Sequence, residues 1–387
     1  PATGLATSKT YADGTAVTYT HTPDGLPLRT TWARGAWREC GYDAARRETA
    51  RHYSDPSLDC AFGRDVFGAV AFASNEVAQT AILRDNQGVS TNETHATAGN
   101  AFSFVRSHDN HGRPAASGWT AEGEATSRRV AYAYDEEGRL ATVSNELLSV
   151  SYAYGAYGLE RGYTLTLPTG ACLVRSVTRL SRPPNAVTDV ANFFVTAAGE
   201  TNALTSFSYS LDGLLRPTRR NTDTFGYDDR SQLISAAQSA GAFHYAYDSA
   251  GNRVSAQAPG RSVAYVANGL NQYVSLSGTF PEPAYDLDGN LLTNGVWRYA
   301  WDAENRLAAA HSNDVFVVSN RYDAFSRRVV KITPTSTHTF LYDGWNVVRE
   351  AVRDNASGTV TDTYDCYWGR DLSGPSRSSC ATSMSRI

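Results

Sequence analysis

One short stretch recurs along the chain and restricts the fold more than any other feature. VAYAYDEEGRL at 130–140, FHYAYDSAGNRV at 243–254 and WRYAWDAENRL at 297–307 are variants of a single pattern. FGYDDRSQLIS at 225–235, YDLDGNLL at 285–292 and NRYDAFSRRVV at 320–330 belong with them. The anchor aromatics are Tyr227, Tyr247, Tyr265, Tyr285, Trp301, Tyr322 and Tyr342, with successive gaps of 16 to 21 residues. Self-similarity at such a period marks a repeat array in which each unit is one supersecondary element.

The unit reads as a β-hairpin. Aromatic or apolar residues alternate before the aspartate: Val130, Tyr132, Tyr134; Phe243, Tyr245, Tyr247; Trp297, Tyr299, Trp301. Period two places each trio on one face of a strand. Asp-x-x-Gly then reverses the chain, the aspartate accepting backbone N–H groups and the glycine taking a left-handed conformation. An Arg or Asn and a new alternating run begin the returning strand. The residues expected to carry this motif are Tyr134, Asp135, Gly138 and Arg139; Tyr227 and Asp228; Tyr247, Asp248, Gly251 and Arg253. Further along they are Tyr285, Asp286 and Gly289; Trp301, Asp302 and Arg306; Tyr322, Asp323 and Arg327; and Tyr342 with Asp343. A lone hairpin is marginal in water, so the fold expected is all-β, with consecutive hairpins building one long, curled antiparallel sheet. Stacking of hairpins is expected to bury the aromatics against one another.

The same pattern is degraded but traceable upstream, in YADGT at 11–15, PDGLPLR at 23–29, YDAARRE at 42–48 and RDNQGV at 84–89. HDNHGRP at 108–114 and LDGLLRP at 211–217 share a finer form, with Asp and Pro five apart and Arg before the proline. The expected organisation is a degenerate repeat region at 1–125, repeats over 126–374 that are strongest at 205–374, and a polar, aperiodic tail at 375–387. Composition agrees with strands and turns: 22 Tyr and 31 Gly against a single Met. A net charge of −4 gives no electrostatic case for nucleic acid. No run of 18 apolar residues suggests a membrane-spanning helix. The chain starts at Pro1 with no signal peptide and reads as a piece of something longer.

Candidates for chemistry reduce to turns. His108, Asp109 and His111 resemble a metal cluster, but HDNHGR is the repeat's own turn, and no third ligand follows at a suitable spacing. Asp286 and Asp288 before Gly289 resemble a calcium loop, yet the position that should be acidic is Trp297. No nucleophile elbow, metalloprotease helix or phosphate-binding loop occurs. Neither a catalytic residue nor a metal or other cofactor is expected. Cys40, Cys60, Cys172, Cys366 and Cys380 contain no C-x-x-C pair, and a Cys40–Cys60 disulfide stays open. The exposed aromatics also allow a cell-surface adhesion or carbohydrate-binding array, with glycans as partners.

These motifs resemble the YD repeats of Rhs proteins, and the later ones resemble the Rhs repeat-associated core. The marks are NGLNQY at 268–273, YDLDGN at 285–290, YAWDAENRL at 299–307, RYDAFSRRVVK at 321–331, FLYDGWNVV at 340–348 and YWGRDLSG at 367–374. The resemblance implies a wall segment of a hollow, secreted or cell-surface β-shell, itself non-catalytic, that encloses a C-terminal toxin used in bacterial competition. Its partners would be the rest of its own shell and that toxin; insecticidal toxin complexes and teneurins carry related shells. Family cores continue toward a self-cleaving D-P-x-G site. Here the only Asp-Pro, Asp55-Pro56, is followed by Ser57-Leu58. The chain after Gly374 departs from a continuing core, so a truncation or frame shift is expected near there.

Overall fold

The computed structural model describes residues 4–97, 100–124, 127–181, 185–277 and 282–366. The YWGRDLSG motif and the 375–387 tail lie outside these. Thirty-four strands run from β1 (Ser8–Thr10) to β34 (Val360–Asp365), with two short 3-10 turns and no α-helix among the described residues. Every pairing in the first twenty-five strands is antiparallel and joins neighbours in sequence. The first and last strands of that sheet do not pair, so it is open. Nine further strands, from β26 (Ala284–Tyr285) onward, repeat the arrangement. The sheet crosses residues 125–126 without a break, because β11 (Pro114–Ala121) pairs with β12 (Arg128–Tyr134).

The alternation works as the sequence indicates. In β22 (Gly241–Tyr247), Phe243, Tyr245 and Tyr247 are half-buried, while Ala242, His244 and Ala246 are exposed. The ladder shifts register between Ala246 and Tyr247. Gly251 closes the turn at φ +93°, with its N–H donating to the Asp248 carbonyl. This is a short hairpin loop followed by a bulge, in which a left-handed residue restores the strand twist.

The aromatics are not packed between two layers along the whole ribbon. Between residues 205 and 276 the tyrosines stay half-buried on a single sheet. Fully buried clusters form mostly where the ribbon meets itself. Phe102, Phe104, Trp119, Val130 and Val143 pack with Leu341 and Val348. Tyr53, Cys60, Phe62 and Ala73 pack with Ala303 and Ala324, and Ala78 packs with Val329, Phe340 and Tyr342.

Those partners identify the path of the chain. Turns alternate between two rims of the ribbon. The Tyr-Asp turns fall on one, the YD rim; turns such as Trp32–Gly35 and Asn75–Ala78 fall on the other, the plain rim. The ribbon coils so that the YD rim of its second wrap seats on the plain rim of its first. Contacts across this seam join residues from 225 to 271 apart.

Cys40 and Cys60 are free thiols. Both stand opposite Arg51 on its two flanking strands. Two strand spacings put them ~9.5 Å apart, beyond the ~7 Å that a disulfide can bridge. Burial raises both thiol pKa values, that of Cys60 to about 11.

Candidate functional site: the turn clamp and the seam

In most of the repeats the aspartate works as a clamp. Asp135 Oδ1 accepts the Arg139 backbone N–H at 2.8 Å, and Oδ2 accepts Arg139 Nε at 2.6 Å. Gly138 lies between them at φ +77°. Asp302 holds Arg306 at 3.0 and 2.7 Å, and Asp323 holds Arg327 at 2.9 and 2.7 Å. Asp43–Arg47, Asp109–Arg113 and Asp212–Arg216 make the same clamp in the weaker copies. The fifth position explains the pattern: from there one side chain meets the second carboxylate oxygen while its own N–H meets the first.

Asparagine can replace arginine. Asn252 Nδ2 donates to Asp248 Oδ2 at 2.9 Å, and Asn290 does the same to Asp286 after Gly289, which sits at φ +87°. Arg253 therefore stands one place beyond the clamp; its N–H donates to the Tyr273 hydroxyl at 2.8 Å. Asp228 keeps the turn without a charged partner, accepting the N–H groups of Arg230 and Gln232.

The aromatic before the aspartate latches one repeat to the previous one. Tyr134 OH donates to Pro114 O, Tyr227 OH to Pro217 O and Tyr247 OH to Leu233 O. Tyr285 reaches Tyr273 O, Trp301 Nε1 reaches Leu291 O, Tyr322 reaches Leu307 O, and Tyr342 reaches Arg328 O. In each case the acceptor lies five residues after the first residue of the previous turn. This accounts for the Asp–Pro spacing of 109–114 and 212–217: the proline opens its strand, where a missing N–H is tolerated, and offers its carbonyl. The clamped arginine covers the next ring. Arg113 lies 4.1 Å from the centroid of Tyr134, Arg216 4.8 Å from Tyr227, and Arg306 4.6 Å from Tyr322. Burial raises the pKa values of Tyr134, Tyr322 and Tyr342. Desolvation pushes the Asp109 carboxyl up, yet Arg113 and two backbone N–H groups hold it down at about 2.

The metal-like and calcium-like candidates have other partners. The His111 N–H donates to Asp109 Oδ1 as a turn contact. Asp288 pairs with Arg34 across the seam. Among the described residues no three His, Cys, Asp or Glu side chains group closely enough to hold a metal ion. Asp55 caps the short 3-10 turn Pro56–Leu58 through the Ser57 N–H.

The seam is polar at both ends and was invisible in the repeat pattern. Arg34 inserts between two Tyr-Asp turns, donating its backbone N–H to Asp288 at 3.1 Å and Nη2 to Asn305 Oδ1 at 2.9 Å, with Nη1 on Trp301 O and Nη2 also on Asp302 O. Arg38 reaches Glu304. Asp343 departs from the clamp: its turn has two residues, and its carboxylate pairs with Arg106 at 2.6 Å. Arg106 also meets Glu93, which lies 2.9 Å from His95. Further on, buried Arg349 bridges Asp365 at 2.7 Å and Glu124 at 2.9 Å. Burial opposes the charges of Glu93 and Asp365, but their cationic neighbours keep both carboxyl pKa values below their ordinary range.

A meander of clamped and latched hairpins, wound upon itself, carries the YD-repeat pattern through the described residues. A family model described as the teneurin YD-shell matches residues 204–346. A tRNA3(Ser)-specific nuclease, WapA of Bacillus spizizenii, is 30% identical over 152 residues, which are 36% of this chain and 6% of that protein. The chain thus spans only a small fraction of the curated relatives it matches. The fold is that of TcdB2-TccC3 without its hypervariable C-terminal region, with TM-score 0.61 and 14% identity over 95% of this chain and 22% of that one. TcdB2-TccC3-Cdc42 gives TM-score 0.58 and 15% identity over the same shares.

Proposed function

We propose that this chain is a wall segment of a secreted or cell-surface shell that encloses a toxin for use in bacterial competition, with no catalytic role of its own. The observation that carries this reading is the seam, through which residues 286–365 of the ribbon seat back on residues 34–128 while the tyrosines of 205–276 stay half-buried on a single sheet. We read a ribbon wound in this way as one that encloses space instead of filling it. The likeness to TcdB2-TccC3 and to WapA, whose name is that of a nuclease, supports a container whose activity resides in another segment. The seat of the arginines on the tyrosine rings also favours a wall over sugar stacking, because the faces a sugar would use already carry guanidinium groups. The units proposed are a degenerate stretch at 1–125, a repeat core at 126–374 and a separate tail at 375–387.

Small-angle scattering on the purified chain tests the reading. A compact domain of this length has a radius of gyration of ~21 Å. A wound, hollow wall gives a monomer value clearly above that, with a pair-distance distribution skewed toward long distances. A symmetric distribution near ~21 Å would refute it.

A further inference from the structure

The seam has to choose its register. Seated turns of the second wrap begin at Asp286, Asp302, Asp323 and Asp343, so a wrap displaced by one hairpin still brings a turn to each place on the rim below. Between the Arg34 turn and the Asp286 turn the ribbon runs through twenty-three described strands, from β4 (Trp37–Tyr42) to β26. One hairpin more or fewer alters a circuit of ~110 Å by only ~10 Å. Apolar contact does not settle the choice. Leu287 is 59% exposed in the seated Asp286 turn, while Ala303 and Ala324, at the same place in the next two turns, are buried. Asn75 Nδ2 donates to the Tyr322 backbone carbonyl at 2.8 Å, a kind of acceptor that every turn offers.

The charged contacts do discriminate. The third residue of a turn, whose N–H returns to the first side chain, is Leu270, Asp288, Glu304 and Phe325 in four successive turns. The fourth, whose N–H returns to the first carbonyl, is Asn271, Gly289, Asn305 and Ser326. Arg34 takes Asp288 from one turn and Asn305 from the next, and Arg38 takes Glu304. With the second wrap displaced one turn, Arg34 would face Leu270 and Gly289, which offer no side-chain acceptor. In the same alignment Arg106 would exchange Asp343 for Asp323, which Arg327 already holds. Displaced one turn the other way, Arg38 would face Phe325. Of these alignments only the observed one gives each of the three arginines a carboxylate of its own.

We propose that Arg34, Arg38 and Arg106, with Arg349 further on, are register keys: they select which turn seats where and so fix the number of residues in one wrap. A charge stranded at a closed contact is strongly unfavourable, which is how buried ion pairs specify register in other packed elements. The keys therefore act against misaligned coils more than for the total stability of the seam. The inference concerns the winding alone and holds whatever the wall encloses.

Removing both sides of each key tests this. Arg34→Met, Arg38→Met, Arg106→Met and Arg349→Met are combined with Asp288→Leu, Glu304→Leu, Asp343→Leu and Asp365→Leu; Glu93 keeps His95, and Glu124 keeps Arg128. Nitroxides on unnatural side chains at exposed Thr94 and Leu292, one in each wrap, read the alignment by double electron–electron resonance. The parent should give one distance. The eightfold variant, refolded from denaturant, should keep the parent's circular dichroism and show a second population displaced by up to ~10 Å, one hairpin along the seam. Asn75→Ala removes a seam contact that is blind to register, so it should keep the single distance. Arg38→Met, Glu304→Leu, Arg106→Met and Asp343→Leu alone remove two of the keys and stand in should the eightfold variant not fold; they should give the second population in a smaller fraction. A single parental distance in whichever of these variants folds, two distances in the parent, or a second distance in Asn75→Ala would each overturn the proposal.

Discussion

Replacing Asp323 by alanine removes three acceptor contacts at once. Its carboxylate takes the Phe325 N–H at 3.0 Å, the Arg327 N–H at 2.9 Å and Arg327 Nε at 2.7 Å. Asp323 is 3% exposed and Arg327 is 5% exposed. What remains is a buried guanidinium with one backbone acceptor, Gly344 O at 3.0 Å, and Glu93 at 4.0 Å. Leaving one partner of a buried pair uncompensated costs about 3–5 kcal/mol. Asp323→Ala combined with Arg327→Met removes the stranded charge and keeps apolar volume, so the double variant should recover much of that loss. The coupling between the two changes should then be roughly 0.5–3 kcal/mol, the range for residues in direct contact. A repeat ribbon need not unfold in one step, so the suitable measurement is native-state hydrogen exchange at amides of β30 (Val315–Tyr322) and β31 (Arg328–Ile332). A loss below about 1 kcal/mol for Asp323→Ala, or a double variant as damaged as the sum of the singles, would show that the clamp is not an interdependent pair.

Three other outcomes follow from the same geometry. Gly251→Val forces a β-branched side chain into a left-handed position, with its Cβ 3.3 Å from Gln232 Nε2; a loss of about 1–3 kcal/mol is expected, and an unchanged melting temperature would contradict the turn. Cys60, with its thiol raised to about 11, and buried Cys40 should resist a thiol reagent at pH 8 until the protein is unfolded, whereas the more accessible Cys172 reacts in the native state; mass mapping of labelled peptides checks this. Glu93 and Asp365 have folded pKa values below their unfolded ones. Their contribution is therefore complete above about pH 4.5 and declines as pH falls through the lower folded values. Hydrogen exchange from pH 5 to pH 2 should show the seam strands losing protection before residues 241–258 do, after correction for intrinsic exchange rates; simultaneous loss would count against this assignment.

Much of the ribbon is legible in the sequence because its causes are local. The alternation of Phe243, Tyr245 and Tyr247, and the left-handed glycine after Asp248, are set within one hairpin. The clamp is less legible. The motif marks an Arg or Asn at the start of the returning strand without showing which residue the aspartate holds; distance along the chain decides, and in this repeat Asn252, not Arg253, stands at the fifth position. The weaker copies mislead for a related reason. In TPDG, Thr22 rather than Asp24 occupies the clamp position, and its Oγ1 accepts the Leu26 N–H at 2.9 Å. The seam has no local signature at all. Nothing near Arg34 indicates that its partners are Asp288 and Asn305, since the coil's circumference, not the repeat length, brings them together.

The two kinds of contact also differ in when they can form. Hairpins close over a few residues and form in about 1–10 μs. Arg34 must wait for Asp288, which lies 254 residues later. At a synthesis rate of ~5–20 residues per second this interval is roughly 10–50 s. During it the first wrap grows as a ribbon whose plain rim still presents Arg34 and Trp119 to solvent. The molecule therefore acquires its strands early and its closure late, and a folding helper that recognises an unsealed rim has tens of seconds in which to act.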